Sequence, residues 1–324
     1  MSNMIREYGL LVLIVSFLSG RIATGEEIQK LGTIDVDIVE ASPVSFKGKL
    51  YRFEYVRPKY WNNDTGDSYF RFIDHETGTA SVPFGKGYHL GSAMADGDQL
   101  VVTAVNAWDG NRIDVFVSGD METWESWNAL HLPGYGLFNT SMCKAGDKYV
   151  LMFEVGRPGK VAGVAFTARF ATSSDLKTWE LTPPECTYSK DRYTAPHCLR
   201  YLDGYYYNFY LEVVNGGYEQ YIVRSKDLIQ WVPSPLNPVL KASEEDRRIA
   251  NDRLTPEQRD KIRNGRNINN SDIDFCEFNG KLIINYSWGN QQGTEFLAEA
   301  EFNGTLEKFL TGWFPEEIAP KPQY

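Results

Sequence analysis

Residues 269–289, NNSDIDFCEFNGKLIINYSWG, decide how this chain is read. SDIDFCEF alternates in polarity, Asn279-Gly280 is the dipeptide of a tight primed hairpin turn, and KLIINYSW has the composition of a second strand. Asp272 and Asp274 stand two apart, so an extended strand places both carboxylates on one face. Either acid by itself fits an Asx turn at a solvated edge equally well. The functional reading gains weight because the same hairpin plan recurs, each time with polar residues at the same end.

Four such hairpins lie upstream: SPVSFKGKLYRFEYVRP (42–58), GSAMADGDQLVVTAVNAW (91–108), TSMCKAGDKYVLMFEVGRP (140–158) and APHCLRYLDGYYYNFYLEV (195–213). Between them runs a second repeat, S-x-D-[ML]-x-x-W, at Ser118 to Trp124, Ser173 to Trp179 and Ser225 to Trp231. In each copy Ser and Asp suit a turn and Trp anchors the strand that follows. Five units of about four strands each are the signature of an all-β, five-bladed β-propeller. Residues 32–39 are expected to close the ring by pairing into the last blade. The outer turns of the first unit (IDHETGTAS, 73–81) and the fifth (FNGTLEKF, 302–309) are degenerate. A two-sheet sandwich accounts for the strands but not for the period.

Residues 241–266 interrupt the pattern between units four and five. They are charged and helical in composition, with Thr255-Pro256 as a helix start and Gly265 at the far end. This helical insertion is expected to wall the face on which the innermost strands begin.

The whole chain has 324 residues, of which 42% are hydrophobic and 14% aromatic, enough for one large domain (26–324) with a sizeable core. Its net charge of −10 argues against nucleic acid or an anionic membrane surface as partner. Four Cys are too few for a disulfide scaffold. Residues 1–25 read as a signal peptide: Arg6, the apolar run GLLVLIVSFLS (9–19), then small residues before Glu26. That run is shorter than the ~20 residues of a membrane span, so a secreted or periplasmic protein with no membrane contact after cleavage is expected. An uncleaved anchor is the alternative.

Within each unit the first strand leaves one face and the second returns to it, so first-strand beginnings and second-strand ends meet around one mouth. The beginnings supply Glu40, His89, His197, Asp272 and Asp274. The ends supply Arg57, Trp108, Glu154, Arg157, Glu212, Trp288 and Asn290. Facing carboxylates suit glycoside cleavage, one donating a proton to the leaving oxygen and one activating water or attacking, with indoles stacked on sugar rings. Four scattered His and three Cys on innermost strands do not make a metal site, and no P-loop, dinucleotide or G-x-S-x-G motif occurs.

The five-unit plan, EASPVSFKGKLYRFE and TAPHCLRYLDGYYYNFY resemble the five-bladed propeller glycoside hydrolases, the superfamily of family 43 arabinanases and xylosidases, family 32 invertases and family 117 neoagarobiose hydrolases. The resemblance covers residues 30–315. It implies a base at Glu40, where family 43 proteins carry an Asp. It also implies an acid Glu in an E-G-P-H-like segment, and here Thr194-Ala195-Pro196-His197 lacks that Glu. Asp272, Glu154, Glu212 and His197 are the candidate replacements. Asp272 stands the same eight residues before Gly280 as Glu40 does before Gly48, which makes Glu40 and Asp272 the preferred pair. Glu212 and Glu154 are then candidates for sugar binding or pKa tuning. Arg57 and Arg157 suggest planar recognition of an anionic sugar, or else bridges to Glu54 or Glu154. The expected function is hydrolysis of a poly- or oligosaccharide at chain ends with inversion, without a cofactor. A non-catalytic sugar-binding propeller and a phosphorylase are the alternatives.

Overall fold

Two-residue turns set the sheet plan. Lys47-Gly48, Asp203-Gly204, Asn215-Gly216 and Asn279-Gly280 all have positive φ at both residues, the geometry that matches the right-handed twist of flanking strands. The computed structural model describes residues 28–58, 63–290 and 293–315, so the segment read as a signal peptide lies outside the described residues.

The first sheet joins β2 (Ala41–Phe46), β3 (Lys49–Val56) and β4 (Tyr69–Asp74). It follows β1 (Gln29–Val36) in the chain. The second contains β5 (His89–Asp96), β6 (Gln99–Val105), β7 (Arg112–Ser118) and β8 (Glu125–His131). The third contains β9 (Gly136–Ala145), β10 (Lys148–Arg157), β11 (Thr167–Ser173), β12 (Glu180–Leu181) and β13 (Thr187–Tyr188), with helix α1 (Gly159–Ala162) after β10. Next come β14 (Cys198–Leu202), β15 (Tyr205–Val214), β16 (Gly217–Ser225) and β17 (Val232–Pro233). The last group is β18 (Asn269–Phe278), β19 (Lys281–Gly289) and β20 (Glu295–Phe302), and β1 pairs antiparallel with β20 as the sequence led us to expect. A single parallel bridge, Tyr218 with Asn269, fuses these two groups into one eight-stranded sheet.

The leading strands touch in a ring: β2 against β5, β5 against β9, β9 against β14, β14 against β18, and β18 against β2. Aromatic and aliphatic side chains fill the space between neighbouring sheets, for example Phe53, Phe70 and Phe116 between the first and second. This interlayer burial is the main stabilising term.

The outer-turn repeat is one structure made three times. Asp120, Asp175 and Asp227 each accept the hydroxyl of the Ser two residues earlier at 3.0–3.1 Å and two following backbone N–H groups at 2.7–2.9 Å. Met121, Leu176 and Leu228 between them take φ of 63–64°. The degenerate fifth turn is instead a helix, α3 (Leu306–Gly312), whose Phe309 and Leu310 enter the core.

The insertion departs from expectation. Its 3-10 turn (Glu244–Arg247) and helix α2 (Pro256–Asn264) lie against β1, and none of its residues lines the axial mouth. Thr33 and Arg248 share a 2.7 Å backbone bond, and a Cβ on Gly32 would meet the Arg248 carbonyl at 2.3 Å, so glycine is required there. Buried Asp246 is the anchor, accepting from Lys30 (2.7 Å), Tyr286 (2.8 Å) and Asn267 (2.7 Å). Satisfying that carboxylate fixes the insertion to the last sheet, and this demand outweighs the topological argument for a wall at the mouth. Among the described residues no helix is long and apolar enough to cross a membrane.

Candidate active site

The beginnings of all five leading strands line one cavity. Its walls include Glu40 and Ser42, Leu90 and Ser92, Asn139 and Ser141, Pro196 and His197, and Asp272 to Asp274. Glu40 immediately precedes β2 and accepts from Arg57 Nη2 at 3.1 Å. Arg57 lies over the Tyr55 ring at 4.8 Å and donates to Asn63 at 3.0 Å, so the fork that holds Glu40 is itself held. Arg57 thus pairs with Glu40, not with Glu54, whose partners are Arg52 and Arg71.

Asp272 sits on a β-bulge: the register between β18 and β19 slips between Ser271 and Asp274, and Asp272 has φ of 51°. Bulges re-aim side chains next to working sites, and a non-glycine residue with positive φ is a strained one. The Asp272 carboxyl accepts from Ser271 Oγ (2.7 Å) and Ser287 Oγ (2.8 Å). Burial, and then the charge of Glu40, push its pKa up to about 7. Both acids line the cavity, as their spacing led us to expect, but the bulge between them breaks the plain alternation and gives them different partners. Asp274 turns to different partners, bonding to Arg200 of β14 and to the Phe275 N–H at 2.7 Å, and so ties two leading strands together.

Glu154 and His197 form a buried pair, with Glu154 at 0% exposure. Glu154 Oε1 accepts from the His197 backbone N–H at 3.0 Å and faces Nδ1 at 2.8 Å, while Oε2 accepts from Asn139 at 3.0 Å. His197 Nε2 meets Thr194 Oγ1 at 3.0 Å. A carboxylate at Nδ1 places the ring proton there and leaves Nε2 to accept. Both ring nitrogens are occupied, so His197 positions a cavity wall and is not poised as an acid.

The remaining sequence candidates divide. Trp108 is 37% exposed, edge-on to Phe138 at 5.6 Å and to His89 at 6.2 Å. Glu212 is part-exposed and paired with Arg192 at 3.1 Å, and it does not line the axial cavity. Arg157 pairs with Asp109 at 2.9 Å rather than with Glu154. Asn290 follows β19 and donates its backbone N–H to the Thr294 carbonyl. Two expected sugar contacts are core residues instead. His89 is fully buried between Tyr55 (2.5 Å) and Ser68 (3.3 Å), and burial followed by the Arg57 charge lowers its pKa to about 4. Trp288, at 0% exposure, stacks on Phe296 at 4.2 Å and donates to Thr33 at 2.9 Å. A strand-end indole filling the space beneath the insertion obeys the same alternation as one reaching the mouth, which is why the pattern misled.

Three contributors went unread. Arg192 and Arg200 neutralise the candidate site acids Glu212 and Asp274, and Tyr193, just before the T-A-P-H segment, lies near enough to Glu154 and Asp272 that their charges add to burial in raising its phenol. Its position beside that segment is the signal that could have found it. Among the described residues no group of three or more His, Cys, Asp or Glu side chains is placed to hold a metal ion.

No protein-family model matches this sequence, and no curated protein does. Solved structures do match its fold. A glycoside hydrolase aligns over 92% of this chain and 96% of its own with a TM-score of 0.61 at 11% identity. An α-L-arabinofuranosidase from Podospora anserina, solved with cellotriose, aligns over 87% and 98% (TM-score 0.56, 8% identity). A family 43 endo-arabinanase from Bacillus licheniformis aligns over 83% and 96% (TM-score 0.53, 11% identity). The fold is one that these solved glycoside hydrolases share. Within that class the matches include proteins of the family 43 and family 62 kinds, at identities that speak for architecture alone.

Proposed function

We propose that this chain is a five-bladed propeller glycoside hydrolase, exported through its N-terminal segment, that cleaves a glycosidic bond of a poly- or oligosaccharide. The ring of five touching leading strands supports the blade count. The observation that carries the activity is the pairing, in one cavity, of a carboxyl held near neutrality, Asp272, with a carboxylate oriented by arginine, Glu40.

Asp272 is assigned as the general acid, since a carboxyl of pKa about 7 keeps its proton in about half of the molecules at neutral pH and can pass it to the leaving oxygen. Glu40 is assigned as the base that takes a proton from water as the water oxygen attacks the anomeric carbon. The reaction is a single displacement with inversion, a geometry that requires the carboxyls roughly 6.5–9.5 Å apart. Action at a chain terminus is proposed with the terminal sugar seated over the mouth, since the enclosed space of about 40 Å³ is too small for a ring. Glu154 acts on Asp272 through its charge and on the wall through His197. The test is reducing-sugar release across a panel of plant and algal glycans, comparing the native chain with Glu40→Gln and Asp272→Asn. Sugar binding with no turnover by the native chain on any glycan would replace this reading with that of a binding propeller.

A further inference from the structure

Ser271 and Ser287 face each other as a cross-strand pair of β18 and β19, the last pair in register before the bulge. On a regular strand the next residue, Asp272, would point to the face opposite Ser271. The extra residue of the bulge and the φ of 51° at Asp272 bring its carboxyl back onto the serine side. There Oδ2 accepts from Ser271 Oγ at 2.7 Å and from Ser287 Oγ at 2.8 Å, and the two hydroxyl oxygens lie 2.7 Å from each other. Both serines are fully buried, so bulk water does not compete for their hydrogens. Asn269 Nδ2 donates to Ser271 Oγ at 3.2 Å, which uses that oxygen as an acceptor and leaves its hydrogen for the carboxyl. Asp272 Oδ1 has no hydrogen-bond partner among the described residues.

We infer that Ser271 and Ser287 are the positioning residues of the acid: by filling Oδ2 they leave Oδ1 as the oxygen that carries the transferable proton. A carboxyl oxygen that already accepts two hydroxyl hydrogens is a poor place for a third, so the acid proton resides on the other oxygen. Given the glycosidase reading on which this rests, the step balances. The Oδ1–H bond breaks with its electron pair kept by the carboxylate, and the leaving oxygen takes the proton as it takes the electrons of the breaking glycosidic C–O bond. The charge left on Asp272 falls to the same two hydroxyls, whose hydrogen bonds strengthen as the carboxylate forms. They therefore set acid strength as well as direction. Burial and the charge of Glu40 push the carboxyl up, the two hydroxyls draw it down, and the charge of Glu154 adds to the upward push. The charged groups nearby have partners of their own, Glu40 in Arg57, Glu154 in His197 and Asp274 in Arg200, and burial, followed by the charges of Glu154 and Asp272, keeps the Tyr193 phenol neutral. The serine pair is thus what holds the acid back from a still higher pKa.

Two measurements on the full chain test this, the pH profile of kcat and the urea midpoint from pH 5 to 9, of which the second needs no turnover. Ser271→Ala and Ser287→Ala are each compared with the native chain. In either variant the alkaline limb of kcat moves up by about one pH unit, the tenfold change in proton affinity expected for losing one hydrogen bond to a charged group. The plateau kcat falls about threefold to tenfold with KM kept within a fewfold, because the proton is no longer confined to one oxygen. The decline of the urea midpoint with rising pH extends upward by the same pH interval. Ser271→Thr or Ser287→Thr, which keep the hydroxyl, restores the native limb. In the Asp272→Asn chain, removing either serine changes the midpoint equally at every pH, since no carboxyl remains to titrate there. A midpoint curve displaced upward in a chain that turns over no glycan removes the glycosidase reading and leaves the serine clamp on Asp272. Turnover with the limb and the midpoint curve unmoved, or moved down, in both Ala variants overturns the clamp and leaves the glycosidase reading.

Discussion

Glu40 and Asp272 line the same cavity from the touching strand ends of β2 and β18, and the charge of Glu40 adds to burial in holding the Asp272 carboxyl near neutrality. In the proposed reaction Asp272 is the proton donor and Glu40 the acceptor. Glu40→Gln and Asp272→Asn are each expected to lower kcat by about 10²–10⁴ with sugar affinity kept within a fewfold. Steady-state rates paired with calorimetric binding check this, and an undiminished kcat in either variant removes that residue from the chemistry.

The same coupling fixes the pH profile. With Asp272 as acid, kcat falls as pH rises through about 7. Stability follows the same group: its pKa is raised on folding, so its contribution is full below the ordinary carboxylate value of ~3.9 and is lost as pH rises through about 7. Asp272→Asn should therefore unfold like the native chain near pH 4 and be more stable by about 2–4 kcal/mol at pH 8. Urea titrations at the two pH values measure the difference; a variant less stable at pH 8 contradicts the desolvated carboxyl.

What the sequence disclosed follows from what period and turn chemistry encode. Hairpin turns such as Asn279-Gly280 and the Ser-x-Asp turns are local, so the strand order and the closing strand β1 were legible. The equal offsets of Glu40 and Asp272 from their glycines point to the mouth and both do line it, although the bulge takes Asp272 out of the register that the Glu40 hairpin keeps. Partner choice is not local. Arg192 with Glu212, Arg200 with Asp274 and Asp246 with Lys30 join residues far apart in the chain or from separate strands and loops, and no spacing announces them. The bulge that parts Asp272 from Asp274 was hidden for a related reason, since an extra residue in one strand shows only against its partner.

Trp288 tests the line between core and site. It is fully buried against Phe296 and shares its indole N–H with Thr33, so Trp288→Ala should cost about 3–5 kcal/mol in stability. With the fold maintained at low temperature, KM should stay within a fewfold of the native value. A large rise in KM without loss of stability would return Trp288 to the substrate.

Glu154 offers the complementary case of a carboxylate that supports the site from beneath. Replacing it by Ala leaves the buried His197 backbone N–H and Nδ1–H, and the half-buried Asn139 Nδ2, without their acceptor. Each orphaned donor costs about 1–3 kcal/mol, so Glu154→Ala is expected to lose about 3–5 kcal/mol or fail to fold, whereas Glu154→Gln keeps an acceptor and loses less. Because Glu154 also raises Asp272, the Gln variant should move the alkaline limb of kcat to lower pH. An unmoved limb would confine Glu154 to a structural role.

A last relationship lies away from the mouth, where His75, after β4, meets Glu299 of β20 at 3.1 Å and bridges the first sheet to the last. The hydrogen bond to Glu299 is the largest influence on the imidazole and raises its pKa, against the opposing effects of burial and of Arg52 and Arg253. A His whose folded pKa is raised contributes stability that is full below the ordinary value of ~6.5 and is lost as pH rises through the raised one. The urea midpoint of the native chain should therefore carry a downward component as pH rises from about 6 to 9, and His75→Gln should remove that component while lowering the midpoint at pH 6. His75 is partly open to solvent, so added salt should shrink the difference between the two chains. A difference that is the same at pH 6 and pH 9 would mean that His75 holds the ring closed by shape and not by charge.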